Sequence, residues 1–299
     1  MRKPICLPSG AVFDLSSPAK IMAIVNCNDD SFYAPSRSHS DKAVAMALEA
    51  EEDGADIIDF GGESTRPGSS YVSEEEEIQR VIPVIAAFRK RSSCVISVDT
   101  RKASVAKAAL DNGADIINDI SALADDPFMG ELCAKSKAAL VLMHKKGIPL
   151  TMQEAPWYDD VVEEVVSYLG AAAKKAVDAG VSREKIIFDP GIGFGKRLED
   201  NLQILRDIKK IALHPRLAEI CGNDYPILVG LSRKSFIQAI TGRAPDERLW
   251  GTLAANAHVI LGGAAIVRVH DVKAHVDLIK MLSALSFPPV PDGNANGSA

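Results

Sequence analysis

The stretch DGADIIDF, residues 53–60, joins the end of a helical pattern to a short apolar strand through a single glycine. The same arrangement returns as NGADIIND at 112–119 and, more loosely, as GGAAIVRVH at 262–270. Glycine adopts the left-handed conformation without a Cβ penalty, so it can end a helix sharply before the next strand begins. The echo therefore predicts a chain built from units in which helices alternate with parallel strands.

Short apolar runs recur between helical patterns along nearly the whole chain. They predict eight strands, at residues 21–26, 56–61, 95–99, 115–120, 139–144, 186–190, 226–232 and 265–270. Predicted helix starts lie after Ser73 and at Glu199, and predicted helix stops lie at Gly54, Gly113, Gly180 and Gly262. Because the strands are apolar throughout, both faces of the sheet should be covered by helices.

Eight such units favour a closed barrel over an open sheet. We predict an α/β protein, a single (β/α)8 TIM barrel over residues 1–286 with an irregular N-terminal segment. Residues 287–299, FPPVPDGNANGSA, are rich in proline, glycine and asparagine and are expected to form a disordered tail. The alternative is a doubly wound sheet, which usually has fewer strands and a glycine in its first turn, where this chain has NCNDDSFYAPS.

The charge and composition of the chain argue against nucleic acids and membranes as partners. The chain has 299 residues and a formal net charge of -6, so it lacks the basic stripe that a nucleic-acid binder uses to displace counterions. No apolar stretch is long enough to cross a membrane, and no secretory signal is visible, which indicates a cytoplasmic protein. The five cysteines are scattered without zinc-ligand spacing, so free thiols are expected, and Cys27 lies beside a predicted site loop.

In a barrel of this kind, functional residues lie at the C-terminal ends of the strands. Helix capping could explain any one polar residue there, but several precede the next helix by many residues, so a convergent pocket is predicted. Its acceptors and donors predict a ligand with a donor-rich edge, such as a pterin, and an anionic end, such as a diphosphate or carboxylate. The polar residues at the strand ends are Asn26, Asp59, Asp99, Asn118, Asp119, His144, Asp189, Ser232, Arg233, Lys234, Arg268 and His270, and Arg66 adds a further cation.

The stretch DPGIGFGK, residues 189–196, is glycine-rich but matches neither common phosphate-binding motif. Its glycines at 191 and 195 are one residue too close for a Walker loop, and Arg197 stands where that loop needs serine or threonine. The third glycine also comes too early for a dinucleotide-binding fingerprint. The position after a late strand predicts a turn whose backbone passes close beneath a flat ring.

These motifs, in this order, resemble those of the dihydropteroate synthase family. They are NCNDDSF at 26–32, GGESTRPG at 61–68, SVDT at 97–100, INDI at 117–120, LMH at 142–144, DPGIGFGK at 189–196, GLSRKSF at 230–236 and RVHDV at 268–272. The resemblance implies condensation of 4-aminobenzoate with a dihydropterin-methyl diphosphate, giving 7,8-dihydropteroate and diphosphate. It also implies a dissociative, Mg²⁺-assisted mechanism, a homodimer and sensitivity to sulfonamides.

The resemblance further implies roles for individual residues. Those expected to hold the pterin are Asp99, Asn118, Asp189, Lys234, Arg268, Phe194 and Met143, with the Arg268 guanidinium stacked on the ring. Those expected near the diphosphate are Asn26, Arg268, His270, Asp59 and Arg66, with Asn26 as the Mg²⁺ ligand. Those expected to form the aminobenzoate pocket are Phe32, Thr65, Arg66, Pro67 and Ser232. The catalytic set would be Asn26, Asp99, Lys234 and Arg268.

The first loop departs from the family pattern, because Cys27, Asn28 and Asp29 stand where valine, threonine and proline are usual. This departure is the basis of one alternative, a catalytically silent paralogue that binds pterins. A second alternative is a pterin-dependent methyltransferase, which uses a similar barrel. Neither GLSRKSF nor ESTRPG is expected in such an enzyme, because it handles no diphosphate and no free aminobenzoate.

Overall fold

A closed ring of parallel strands forms the body of the protein. The computed structural model describes residues 4–15, 19–27, 37–64, 69, 71–147, 151–152 and 154–286. Two short strands, β1 (Ile5–Cys6) and β2 (Val12–Phe13), pair as an antiparallel hairpin before the ring begins. The N-terminal segment, expected to be irregular, therefore contains one regular element.

All eight predicted strands are present in the ring. They are β3 (Lys20–Asn26), β4 (Ile57–Gly61), β5 (Val95–Asp99), β6 (Ile116–Asp119), β7 (Ala139–Met143), β8 (Ile186–Asp189), β9 (Leu228–Gly230) and β10 (Ile266–Val269). Each strand pairs in parallel with its neighbour in the chain, and β10 pairs with β3. Between β8 and β9 the ring closes through a parallel bridge of Phe188 with Ile227, supported by a 3.0 Å bond from the Phe188 N–H to the Pro226 carbonyl. The TIM barrel is confirmed, and the open doubly wound sheet is excluded.

Helices cover the outside of the ring. They are α1 (Arg37–Glu52), α2 (Glu74–Arg89), α3 (Ala103–Asp111), α4 (Met129–Ser136), α5 (Val161–Asp178), α6 (Leu198–Arg206), α7 (Ile208–Ala212), α8 (Pro215–Cys221), α9 (Ser235–Thr241), α10 (Leu249–Leu261) and α11 (Val272–Ser286). Ser73 caps α2 as predicted, accepting a hydrogen bond from the Glu76 N–H at 3.1 Å. No helix in the described part of the chain is long and apolar enough to cross a membrane.

Two predicted helix boundaries need correction. The helix predicted to open at Glu199 begins at Leu198, and it breaks at Asp207 into α6 and α7. Gly54, Gly113 and Gly180 have positive φ, as an abrupt stop requires, but Gly262 has a φ of -77°. The left-handed residue after α10 is Gly263, with a φ of 104°. A side chain at Gly262 would collide with Ile208, so close packing explains the first glycine of this pair.

The interior of the barrel is divided into an apolar floor and a polar mouth. At the N-terminal ends of the strands, Met22, Ile57 and Ile266 pack with Ile5 and Phe13 of the hairpin in one buried cluster. The Ser9 N–H also donates to Asp115, which directly precedes β6. The hairpin therefore seals the floor, and the opposite end of the barrel is the place for a site.

Candidate active site

The two-residue repeat of the strands explains why the polar side chains of the mouth point inward. Side chains two positions apart in a strand point to the same face, so a residue two places after an inward apolar residue also points inward. This relation holds for Asp59 after Ile57, Asn118 after Ile116, Met143 after Val141, Asp189 after Ile187 and Arg268 after Ile266. The apolar floor and the polar mouth are thus successive layers of the same inward faces.

Arg268 bonds two carboxylates across the mouth. Its Nε donates to Asp59 Oδ2 at 2.6 Å and its Nη2 donates to Asp99 Oδ2 at 2.8 Å. Asn118 Nδ2 donates to the same Asp59 oxygen at 3.2 Å. The Arg268 side chain is 22% exposed, whereas the Asp59 side chain is fully buried beneath it. Four strands are thereby joined, and the plane of the guanidinium is fixed.

Asp59 is placed differently from its expected role near a diphosphate. It is wholly buried and bonded to Arg268, so it orients that arginine and would repel, rather than bind, a second anion. Its Oδ1 has no hydrogen-bond partner among the described residues. We therefore revise its role from direct diphosphate contact to support of Arg268.

Burial shapes the titration of Asp99. Loss of solvent raises the pKa of Asp99 to about 7, with Asp59, Glu77 and Glu63 adding to the increase and Arg268 opposing it. The charged carboxylate accepts hydrogen bonds from Arg268 or from a ligand N–H at both oxygens, whereas the protonated acid keeps only part of this capacity. The acceptor function of Asp99 is therefore expected to weaken as the pH falls through neutrality.

Lys234 forms a second group of contacts beside the first. Its Nζ donates to the Ile192 carbonyl and lies 4.7 Å from the centre of the Phe194 ring. Burial and, to a smaller extent, Arg268 lower the pKa of Lys234, the charge of Asp189 opposes the decrease, and the resulting pKa is about 8. Burial raises the pKa of Asp189, and Lys234 and the Gly191 N–H at 2.7 Å oppose that increase.

Gly230 connects the two groups. A Cβ built on this residue would lie 3.8 Å from Arg268 Cβ and 3.9 Å from Lys234 Nζ. Arg268 and Lys234 therefore both approach a position of β9 that carries no side chain. The predicted pterin-binding residues Asp99, Asn118, Asp189, Lys234 and Arg268 are brought together, as are Met143, which is buried, and Phe194, which is half-buried.

A strained turn directs Lys234 into the mouth. Arg233 has a φ of 58°, a left-handed conformation that is uncommon for a residue with a side chain. Arg248 stabilises the turn by donating to the Arg233 carbonyl at 2.8 Å, and the Arg233 N–H donates to Thr252 at 3.2 Å. The Arg233 side chain itself points to Asp271 on the rim, where it forms a bidentate pair. It is therefore a rim residue and not one of the pocket donors.

Two other polar strand-end residues lie outside the mouth. Asp119 follows the inward Asn118 by one position and accepts hydrogen bonds from Ser121 and from the Leu123 N–H, so it caps the next turn. His144 is buried against the Tyr168 ring, with ring centres 4.9 Å apart. His144 therefore packs behind the mouth and is not part of the predicted convergent pocket.

Asn26, Ser232 and His270, which are expected to bind the other substrate groups, lie on the same side of the barrel as the pterin residues. Asn26 ends β3 and is exposed, and it pairs in register with Gly61, which pairs with Asp99. Ser232 and His270 are adjacent, with His270 Nδ1 at 2.9 Å from the Ser232 hydroxyl. The remaining predicted residues, Phe32, Thr65, Arg66 and Pro67, lie outside the described residues.

The cysteines are free, as predicted. Cys27 follows Asn26, and its N–H donates to the Gly61 carbonyl at 2.8 Å. Burial and the charge of Asp59 raise the pKa of the Cys27 thiol to about 12, so it is protonated near neutral pH and unsuited to act as a nucleophile.

The glycine-rich turn after β8 differs from its predicted use. Gly191, Gly193 and Gly195 all have positive φ, but a Cβ on Gly191 would lie 1.9 Å from the His144 carbonyl oxygen and one on Gly195 would lie 2.0 Å from that of Lys146. Two of the three glycines therefore permit contact with the chain after β7 rather than with a flat ring. Only Gly193 faces the mouth, where its nearest neighbour would be Lys234.

Comparisons show that the chain is similar to known enzymes over almost its whole length. The pattern of the pterin binding enzyme family matches residues 22–270. The dihydropteroate synthase of Haemophilus influenzae is 42% identical over 272 residues, which cover 91% of this chain and 95% of that protein. The similarity therefore includes every strand of the barrel.

Solved structures extend the similarity to the backbone. The dihydropteroate synthase of Xanthomonas albilineans with 4-aminobenzoic acid is 38% identical, with a TM-score of 0.85 and coverage of 97% of this chain and 100% of that one. That of Burkholderia cenocepacia complexed with 7,8-dihydropteroate is 38% identical, with a TM-score of 0.83 and coverage of 95% and 97%. Both belong to enzymes whose motifs the sequence resembles.

Proposed function

Since this chain belongs to the dihydropteroate synthase family, we propose that it joins 4-aminobenzoate to the methylene carbon of a dihydropterin-methyl diphosphate and releases diphosphate. The family makes the chain a transferase. The observation that carries the assignment of the site is the convergence of Asp99, Asn118, Asp189, Lys234 and Arg268 at one end of the barrel. A pterin presents a donor-rich edge and a flat ring, and this set supplies acceptors for the edge and a guanidinium for the face.

Arg268 is suited to stacking because its guanidinium is already oriented. The bonds to Asp59 and Asp99 hold its plane, so little rotational entropy is lost when a ring packs against it. Asp99 and Asn118 lie at neighbouring positions of β5 and β6 and would accept from and donate to the ring edge. Asp189 and Lys234 would bind the opposite part of the ring, with Phe194 and Met143 against its apolar surface.

The reaction we propose is dissociative. The bond between the methylene carbon and the diphosphate oxygen breaks first, and the pterin ring delocalises the positive charge left on the carbon. The amine of 4-aminobenzoate then donates its electron pair to that carbon, and the resulting ammonium gives up a proton to solvent water. Asp59, Asp99 and Asp189 place three carboxylates around the ring, which favours the positive charge that develops there. Arg268 and His270 are the groups that would stabilise the negative charge accumulating on the diphosphate.

Asn26 is the residue we propose as the protein ligand of Mg²⁺. Asn26 is exposed at the end of β3 and offers one amide oxygen. This fits an ion that arrives with its substrate, because Mg²⁺ commonly takes one or two protein oxygens and fills its other positions with phosphate oxygens and water. When bound, Mg²⁺ would reduce the negative charge of the leaving diphosphate.

A single assay tests the proposed function. Purified protein is incubated with both substrates, with and without Mg²⁺, and the product is identified as 7,8-dihydropteroate by mass. We expect product only when both substrates are present, and more of it with Mg²⁺. Pterin binding without product would instead indicate a silent paralogue.

Asn26→Ala is expected to raise the Mg²⁺ concentration needed for half-maximal rate by roughly three- to tenfold, the effect of losing one polar contact. Titration of the rate with Mg²⁺ measures it. The control is Asn223→Ala, which changes an exposed asparagine far from the mouth and should leave the Mg²⁺ requirement unchanged. An unaltered titration for Asn26→Ala would place the metal on another residue.

The rate should depend on pH on both sides of neutrality. As the pH falls through about 7, Asp99 gains a proton and ceases to act as a charged acceptor, so kcat/KM for the pterin substrate should fall. As the pH rises through about 8, Lys234 loses its proton and its charge, so kcat/KM should fall again. The measurement is kcat/KM between roughly pH 5 and pH 10. A flat profile across that range would contradict the assigned roles of both groups.

We also propose a homodimer formed through the outer faces of α10 and α11. These consecutive helices expose four large apolar side chains, Trp250, Leu261, Met281 and Leu285, at 58% or more. Exposed apolar side chains concentrated on neighbouring helices are typical of a surface that another protein covers.

A further inference from the structure

A buried cation lies beside the mouth and has no part in the proposed chemistry. Lys196 is only 2% exposed. Its Nζ lies 2.8 Å from His144 Nδ1 and 2.8 Å from the Gly191 carbonyl oxygen. The carbonyl oxygens of Phe194 and His144 lie at 3.2 and 3.4 Å. Its hydrogen-bond partners are thus three carbonyl oxygens and an imidazole.

These contacts join two segments that follow neighbouring strands. His144 comes directly after β7, whereas Gly191 and Phe194 belong to the turn after β8. The close approach of Gly191 and Gly195 to the carbonyls of His144 and Lys146 presses the same two segments together. A primary ammonium has three N–H donors, so it can satisfy carbonyls from both segments at once. A long side chain with a single donor could not.

Enclosure, rather than its charge state, keeps Lys196 from reacting with a ligand. Burial lowers the pKa of Lys196 well below its usual value, and the neighbouring Lys234 and Lys146 lower it further, while Asp189 and Asp200 oppose the decrease. His144 is neutral, because burial and Lys196 lower its pKa to about 2, so its Nδ1 is free to accept. Enclosure within the turn keeps the Lys196 amine away from any ligand in the mouth.

The turn that Lys196 fills also supplies contacts to the mouth. Between Gly191 and Phe194, whose carbonyls face Lys196, the Ile192 carbonyl faces outward and accepts from Lys234. The Phe194 ring lies 4.7 Å from Lys234 Nζ, and the Gly191 N–H bonds Asp189. One side of the turn therefore binds Lys196, and the other side positions Lys234 and Asp189.

We propose that Lys196 is a positioning residue for the pterin-binding site. By holding the carbonyls of Gly191, Phe194 and His144, it fixes the turn on which the contacts of Lys234 and Asp189 depend. The inference rests on the proposed function, since it assumes that Lys234 and Asp189 bind a pterin.

Two lysine variants separate positioning from stability. Lys196→Met removes the ammonium, and Lys185→Met is its matched control, because Lys185 is also buried and donates to a backbone carbonyl, that of Lys137, at the opposite end of β8. Calorimetry measures the Kd of the dihydropterin-methyl diphosphate for each. We expect Lys196→Met to raise this Kd about fivefold or more and to change the KM of aminobenzoate less than about twofold. We expect Lys185→Met to lower Tm without raising the Kd. Equal Kd values for Lys196→Met and wild type would overturn the inference.

A second variant and a double-mutant cycle keep the test decisive if Lys196→Met fails to fold. Lys196→Gln keeps a donor in the same space, and we expect it to raise the pterin Kd about threefold or more; no change would again overturn the inference. Combined with Lys234→Met, the Lys196 change should raise the pterin Kd by a smaller factor than in the wild-type background, because one of the two residues through which it acts is gone. Full additivity would overturn the inference, because Lys196 would then act independently of Lys234. Wild-type protein that binds pterin without making pteroate would contradict the proposed function and leave this inference standing.

Discussion

Arg268→Met is expected to reduce kcat/KM for the pterin substrate by roughly a hundredfold and the free energy of unfolding by about 3 kcal/mol. Arg268 carries two charge-assisted hydrogen bonds, to Asp59 and Asp99, and its removal leaves both carboxylates buried side by side. Removing one partner of a buried ion pair destabilises the folded protein, because the remaining charge is still desolvated and no longer has an opposite charge beside it. Steady-state kinetics and denaturant unfolding measure the two effects.

Arg89 offers a closely matched control for this change. Its side chain is 22% exposed, as is that of Arg268, and it pairs with Asp115, a carboxylate that is 1% exposed. Arg89 lies at the floor, so Arg89→Met should destabilise the protein to a similar degree while the folded enzyme keeps its kcat/KM. An Arg268→Met variant with near-normal kcat/KM would show that the guanidinium does not contact the pterin.

Asp189→Asn is expected to reduce kcat/KM by roughly 10- to 150-fold, the equivalent of about 1.5 to 3 kcal/mol for a contact with a charged group. The amide keeps the shape of the carboxylate but removes the negative charge that offsets the buried ammonium of Lys234. It also replaces one acceptor oxygen by a donor, which opposes the N–H groups of a pterin edge. The KM of the pterin substrate should rise more than the KM of the aminobenzoate substrate.

Asp119 separates this effect from general damage to a buried strand end. It is a buried aspartate at the end of β6, but its oxygens accept from Ser121 and Leu123 outside the mouth. Asp119→Asn should therefore lower Tm without a selective change in pterin KM. If both variants lose the same activity, the selectivity assigned to Asp189 is wrong.

Sequence patterns identified the barrel because its strands are short, apolar and bounded by glycine. They identified the pocket because strand ends of a barrel converge, so Asp99, Asn118 and Asp189 could be grouped without coordinates. The two-residue repeat of a strand also predicts which strand-end side chains point into the barrel, and the strand-end residues alone do not show this. Asn118 and Asp119 are adjacent polar residues, yet only Asn118 shares the inward face of Ile116.

Other features depend on contacts that local patterns do not encode. A lysine after three glycines is typical of an exposed or phosphate-binding position, and only the path of the chain after β7 encloses Lys196. The hairpin strands have two residues each, too few for a period to be recognised. Asp59 matches the other strand-end aspartates in sequence, but its depth beneath Arg268 gives it a different role.

The hairpin at the floor has a practical consequence. Because Ile5–Cys6 and Val12–Phe13 are packed at the pole opposite to Arg268 and Lys234, the amino end of the described chain is held away from the chemistry. Tethering the enzyme to a solid support through that end should leave the opening directed outward. Attachment near His270 would instead obstruct the passage of substrates.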